Sequence, residues 1–373
     1  MNIRKNDKRL ADIERLGKSL ASSPEASLYI FGCAETALNM MDYIQKRSGI
    51  VDRLAAFVVD DAYYNKDTYC GKPVIPYSRW SKELKDGDAV VIGYTDNIAA
   101  AKALSALPGN TEGAYFYLPV WYSDKKECME YDEFSSRAPE FESLYEKLAD
   151  EKSKQTMEAF LDCCINGNGE ALEVLKETGQ YFNPLTENCR ADNFIDCGAF
   201  IGDTIEDAVN FYGDRVKKFV SFEPDTINLA KLKERVNACG VSDDRLTLVA
   251  KGSWSGPDTL RFSSAGSSSG ITDDGDIVIE VDSIDNVLKK EGLSADFIKM
   301  DVEGSEKQTL IGAAATIKAY HPTLAVCAYH KPWDLLELTA QIEEIAGDEA
   351  YDFYLRYYGP SLVELVLYAI PKK

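Results

Sequence analysis

Short apolar runs that end in a glycine, a proline or an acid alternate along this chain with stretches whose apolar residues recur every three or four positions. The runs read as strands and the stretches as amphipathic helices, and their alternation predicts a mostly parallel sheet with helical crossovers. The pattern occurs twice. In the first part it predicts a helix within 1–25, strands at 27–31, 54–60, 71–76, 88–94 and 114–119, and a helix at 97–106. In the second it predicts strands at 193–197, 218–222, 246–250, 296–301, 322–328, 352–357 and 362–369, the last two forming a hairpin. An added pair near 258–262 and 277–281 is expected to extend the same sheet. Between the two parts, Phe134, Phe141, Leu144, Tyr145 and Leu148 keep helical spacing. Gly167 and Gly169 interrupt these helices, and 171–179 reads as a short helix stopped by Gly179. The chain therefore divides into a smaller α/β domain at 1–124, a helical linker at 125–184 and a larger α/β domain at 185–373.

The larger domain opens with the most specific chemistry. Phe194-Ile195-Asp196-Cys197-Gly198-Ala199-Phe200-Ile201-Gly202-Asp203-Thr204 is a strand, two glycines four apart and a polar helix start. Glycine lets the backbone turn sharply and meet a ligand with no Cβ in the way. The helix start supplies free N–H groups. A dinucleotide turn reads G-x-G-x-x-G, because a pyrophosphate rests on it. Here Asp196 stands two residues before Gly198, where a carboxylate repels a pyrophosphate and attracts a cation. S-adenosylmethionine carries an ammonium and a sulfonium and no phosphate. The turn therefore points to that cofactor and to methyl transfer, with Asp196, Gly198, Ala199, Gly202, Asp203 and Thr204 in its site. Glu223 ends the next strand and is placed to accept hydrogen bonds from ribose hydroxyls, while Pro224 fixes the turn. After the third strand, Gly252 and Ser253 are placed to meet an adenine edge with backbone groups. Trp254 either covers that ring or packs in the core.

A further strand end, Asp296-Phe-Ile-Lys-Met-Asp301-Val-Glu303-Gly-Ser-Glu306, adds two acids. Ligands of open α/β sheets sit outside the carboxyl ends of the strands, so Asp196, Glu223, Asp301 and Glu303 share one rim. These segments, with Phe222-Glu223-Pro224, Ala328-Tyr-His-Lys-Pro-Trp-Asp334 and the closing hairpin, resemble the FkbM-type methyltransferase family over about residues 185–373. The resemblance implies the class I methyltransferase fold, a seven-stranded Rossmann-like sheet. It also implies S-adenosylmethionine as cofactor and methylation of a hydroxyl oxygen, often on a sugar or a polyketide-like small molecule. The first domain is similar to Rossmann-like modules of sugar-modifying proteins. Its turn, Gly32-Cys-Ala-Glu-Thr-Ala37, lacks the further glycines of a dinucleotide site. It reads as a scaffold, an oligomerisation unit or a substrate-presenting unit.

Methyl transfer demands alignment first, and a hydroxyl acceptor must also lose a proton. The catalytic candidates are His330, Asp301 and Glu303. His330 has the intrinsic pKa nearest neutrality and follows a strand at the rim. Asp301 and Glu303 are alternatively holders of acceptor hydroxyls or of the cofactor's amino end. Lys299, on a buried strand, is expected to pair with an acid. No metal is expected, a divalent cation held by these carboxylates being the remaining option. Ser263–Gly270 cannot pack a core and is either a passive hairpin loop or a lid.

Composition narrows the partners. A net charge of −21 repels nucleic acids and anionic membrane surfaces. A small-molecule or saccharide acceptor is expected instead, with self-association left open. The N-terminus lacks the apolar core of a signal peptide, and nine cysteines without a C-x-x-C pair read as reduced thiols, so the protein is expected in the cytoplasm. Two histidines exclude a histidine-rich metal centre. The competing readings are a non-catalytic nucleotide- or sugar-binding module and an NAD-dependent sugar-modifying enzyme. Both candidate turns lack the pyrophosphate glycines that the second of these requires.

Overall fold

A computed structural model describes residues 1, 3–94, 97–107, 111–119, 129–263, 270–271, 277–360 and 362–372. The chain forms two compact units, 1–137 with 158–174 and 359–363, and 138–157 with 175–358 and 364–373.

The first unit holds β1 (Leu28–Phe31), β2 (Leu54–Val59), β3 (Thr68–Tyr69), β4 (Lys72–Pro76), β5 (Ala89–Ile92) and β6 (Glu112–Tyr115). They form one sheet in the order β3-β4-β2-β1-β5-β6, parallel except for the β3–β4 hairpin. Ile30, Phe57 and Val91 are fully buried at its centre, as expected of strands covered on both faces. The last strand begins ahead of the predicted run, because Glu112 donates its N–H to Asp88 O, level with the start of β5.

The second unit holds β7 (Asn193–Cys197), β8 (Lys218–Phe222), β9 (Leu246–Val249), β10 (Gly252–Ser253), β11 (Asp258–Ser263), β12 (Gly270–Ile271), β13 (Ile277–Asp282), β14 (Phe297–Met300), β15 (Thr323–Cys327), β16 (Tyr351–Tyr357) and β17 (Leu365–Pro371). Seven of these form a sheet in the order β9-β8-β7-β14-β15-β17-β16, parallel as far as β15 and closed by the antiparallel β16–β17 hairpin. This is the α/β order of a class I methyltransferase. Strand order reverses between β7 and β14, so the loops leaving those two strands flank the crevice where such folds bind ligands.

The added pair does not extend this sheet. β11 and β13 belong to a separate sheet ordered β10-β13-β11-β12. The reason lies in their burial: β13 alternates, with only Ile279 and Val281 buried, so it has one apolar face and does not suit a strand covered on both sides. Residues 264–269, where the expected loop or lid falls, lie outside the described residues.

The helical stretch resolves into helices at Tyr131–Lys147, Glu151–Asn166 and Glu170–Val174. The last is shorter than predicted, since Glu177 instead donates its N–H to Tyr357 O at the end of β16. Residues 148–153 cover the free edge of β16: Ala149 N–H bonds Phe353 O, and Asp150 pairs with Arg356 at 2.6 Å. Among the described residues no helix is long and apolar enough to cross a membrane.

Candidate active site

The glycine turn follows β7 directly. Gly198 sits at φ +77°, and a Cβ there would lie 1.8 Å from Asp301 O, so no other residue fits between the two loops. Gly198 and Ala199 both donate N–H groups to Phe222 O, at 3.2 and 3.0 Å. Phe200 at φ +44° and Gly202 at φ +81° complete the turn into the helix Asp203–Tyr212, whose N-terminus takes no side-chain cap. Asp203 is exposed in its first turn and Thr204 is buried.

Glu223 closes the turn from β8. Its Oε2 accepts from Phe200 N–H at 2.9 Å and its Oε1 from Asp225 N–H at 2.9 Å, with Pro224 between. Burial pushes its pKa up while these donors oppose the shift. A carboxylate offers about four lone-pair sites, so capacity for ribose hydroxyls remains.

Asp196 lies beneath the turn, fully buried, with Lys299 Nζ 3.3 Å away. Lys299 also donates to Gly198 O at 2.7 Å. Burial raises the Asp196 pKa and Lys299 opposes it. Lys299 thus pairs with an acid as expected, and the pair supports the turn from below.

The acids after β14 gather around His330. Glu306 Oε1 accepts from Val302 N–H at 3.0 Å and Gly304 N–H at 3.4 Å, folding the loop back on the helix Glu306–Gly312. His330 Nδ1 stands 3.0 Å from Glu306 Oε1, and Nε2 stands 3.5 Å from Glu303 Oε2 and 3.7 Å from Asp301 Oδ1. Burial alone would lower the His330 pKa. The Glu306, Asp301 and Glu303 carboxylates outweigh it and raise the imidazole to about 10. The surrounding carboxylates thus favour the protonated imidazole over the neutral one. Burial opposes ionisation of Glu306, yet His330 and Val302 N–H hold its carboxyl below the usual range. Burial pushes Glu303 up to about 7, with Asp301 adding to the rise. Burial and Glu306 raise Asp334 to about 7.

The turn thus offers a tight glycine bend packed on the Asp301 backbone, an N-terminal helix turn and carboxylates. That set fits a cationic ligand without phosphate, as S-adenosylmethionine is. Residues 196–355 match the family model described as the methyltransferase FkbM domain. Residues 196–355 are thus similar to the FkbM-type methyltransferase domain. The crystal structure of methyltransferase FkbM from Methylobacillus flagellatus is similar in fold, with a TM-score of 0.72 and 23% identity over 96% of this chain and 97% of that one. Weaker likenesses reach precorrin-6y C5,15-methyltransferase from Geobacter metallireducens (TM-score 0.31, 12% identity, 50% of this chain, 84% of that one). They also reach fibrillarin from Aeropyrum pernix, solved with natively bound S-adenosylmethionine (TM-score 0.30, 11% identity, 49% and 67%). No curated protein matches the chain.

Within the FkbM-type domain the structure brings Gly198, Asp301, Glu303 and His330 to one rim, with Glu223 tied to the same turn. Gly252 and Ser253 form β10 beside β13. Gly252 pairs with Val281, and Ser253 Oγ bonds Thr309 Oγ1 at 2.9 Å, under the helix Glu306–Gly312. Trp254 donates its N–H to Asp282 O. Three residues join the site without a signal in the sequence. Tyr181 donates its hydroxyl to Asp301 Oδ2 at 3.2 Å and accepts from Gln180 Nε2, which also bonds Glu364. Tyr181, Phe200, Glu303 and Glu364 all hold positive φ, a strain that clusters at functional sites.

Proposed function

We propose that the FkbM-type domain transfers a methyl group from S-adenosylmethionine to a hydroxyl oxygen of a saccharide, a glycan precursor or another small polar molecule. The observation that carries the reading is the contact between the Gly198 turn and the backbone of Asp301. It sets the cofactor cradle directly against the carboxylates that would receive an acceptor. Bound S-adenosylmethionine supplies an electrophilic methyl on a sulfonium, which leaves as a neutral thioether.

The protein's part is positioning and proton handling. Glu223 holds the Phe200 and Asp225 N–H groups, and so the shape of the turn, while its remaining lone pairs receive ribose hydroxyls. Asp301 is oriented by Tyr181. Glu306 is buried and bound to backbone N–H groups. Glu303 is the rim carboxylate left accessible, with its side chain 38% exposed, and it takes the acceptor's proton. His330 faces all three of these carboxylates from the stretch that follows β15 and so fixes their spacing. Alignment is worth roughly 7–11 kcal/mol of a barrier, and a positioned base about 10²–10⁴-fold.

The test is calorimetry of S-adenosylhomocysteine with the full chain, a Glu223→Ala variant and an NADH control. Saturable binding that the variant weakens by about tenfold or more supports the reading. Failure of the intact protein to bind, or preference for NADH, overturns it. Transfer of labelled methyl to amines but to no hydroxylated acceptor would overturn the oxygen specificity alone.

A further inference from the structure

The methyl-transfer reading uses the rim between β14 and β15 only in part. Ligand atoms of Asp301, Glu306 and His330 lie within 4.8 Å of one another. Glu306 is 1% exposed and His330 8%. Buried polar groups are nearly always satisfied, and departures call for an explanation. Here four such atoms fall together without a hydrogen bond among the described residues: Asp301 Oδ1, Glu306 Oε2 and both ring nitrogens of His330. The His330–Glu306 approach at 3.0 Å is a charge contact without hydrogen-bond alignment.

The two carboxylates share one arrangement. Asp301 has Oδ2 held by the Tyr181 hydroxyl and Oδ1 bare. Glu306 has Oε1 held by the Val302 and Gly304 N–H groups and Oε2 bare. One oxygen oriented by the protein and the other left free is what outer contacts do for a carboxylate that ligates a metal through a single oxygen. An imidazole completes a mixed nitrogen and oxygen donor set, which suits a first-row transition metal ion better than an all-oxygen cation such as magnesium.

We propose that Asp301 Oδ1, Glu306 Oε2 and one nitrogen of His330 bind a divalent cation of the manganese type, which takes the place of the imidazole proton and releases it to solvent. Three protein ligands leave coordination positions for water and for an acceptor hydroxyl. The cation would polarise that hydroxyl as a Lewis acid, and Glu303 beside it would take the released proton. This role rests on the methyltransferase reading, but the binding site does not.

The experiment therefore separates the two. Chelator-treated full-length protein is titrated with Mn²⁺, followed by loss of the free-ion signal in electron paramagnetic resonance, and S-adenosylhomocysteine binding is measured on the same sample. A single saturable site is expected, displaced by Zn²⁺ more readily than by Mg²⁺. Asp301→Asn and Glu306→Gln should each weaken it by about tenfold or more, while Glu303→Gln should leave it within a few-fold. Circular dichroism checks that each variant is folded. Should Glu306→Gln unfold, Tyr181→Phe is the second probe, since it removes only the donor that orients Asp301 and should also weaken Mn²⁺. No saturable binding below about 1 mM, or binding that Asp301→Asn leaves unchanged, overturns the proposal. If S-adenosylhomocysteine still binds in that case, only the cation is lost. If neither binds, the methyltransferase reading fails as well.

Discussion

Lys299 and Asp196 stand opposite each other on adjacent parallel strands, in register and both buried, with Nζ 3.3 Å from Oδ1. The same ammonium reaches Gly198 O, so one buried charge pair and one carbonyl contact hold the first residue of the turn. Breaking a buried pair by removing one partner costs about 3–5 kcal/mol, because it strands the other charge. Lys299→Met should lower the unfolding free energy of the second unit by about that amount. Lys299→Met with Asp196→Asn should recover much of the loss. Urea unfolding of the three proteins decides it, and equal midpoints for wild type and Lys299→Met would refute the role.

Gly198→Ala tests the close approach of two loops. Its Cβ would enter the van der Waals shell of a backbone oxygen that cannot swing aside. Overpacking of this kind costs about 3 kcal/mol and displaces the turn. Binding of S-adenosylhomocysteine should be lost. Gly202→Ala has Leu232 Cγ at 3.1 Å as its nearest neighbour and should bind more weakly without losing the ligand.

The charge state of His330 has a pH signature in chelator-treated protein. Its folded pKa of about 10 lies above the ordinary 6.5, so the folded state binds the extra proton. The stability it contributes is fully present below about pH 6.5 and is lost as pH rises towards 10. Glu306, Asp301 and Glu303 face the ring and cause the shift. The fall in urea midpoint over that range should be flatter in His330→Gln. Proton NMR of the imidazole should show no titration near neutrality, and a midpoint near 6.5 would contradict the ion cluster.

Tyr181→Phe removes a single hydroxyl. Stability should change by about 1 kcal/mol, the net worth of an ordinary hydrogen bond. Methyl transfer should fall by roughly tenfold, since Asp301 loses the donor that orients it. Steady-state kinetics with any accepted substrate checks this, the drop being in kcat.

The glycine turn and the rim acids were legible because each is local. An apolar run followed by Asp196, Glu223 or Asp301 places an acid at a strand end, and a parallel sheet brings those ends together. Tyr181 was not legible, since its contact with Asp301 spans 120 residues and starts from an irregular stretch. β11 and β13 were visible as strands, but alternation alone does not say which sheet a strand joins. The bond between Ser253 and Thr309 was not legible, since Thr309 lies on a later helix 56 residues away. His330 was correctly read as a rim residue. Its protonation depends on Glu306 beside Nδ1, which spacing does not reveal.

Glu303 and Glu364 carry long acidic side chains on backbone that suits glycine, at φ +53° and +61°. Each such residue stores on the order of 1 kcal/mol. Selection for heat tolerance alone would then favour glycine at both positions. On the proposed role of Glu303 as base, a screen that also demands turnover would keep the acid there, which makes that position one where durability is exchanged for chemistry.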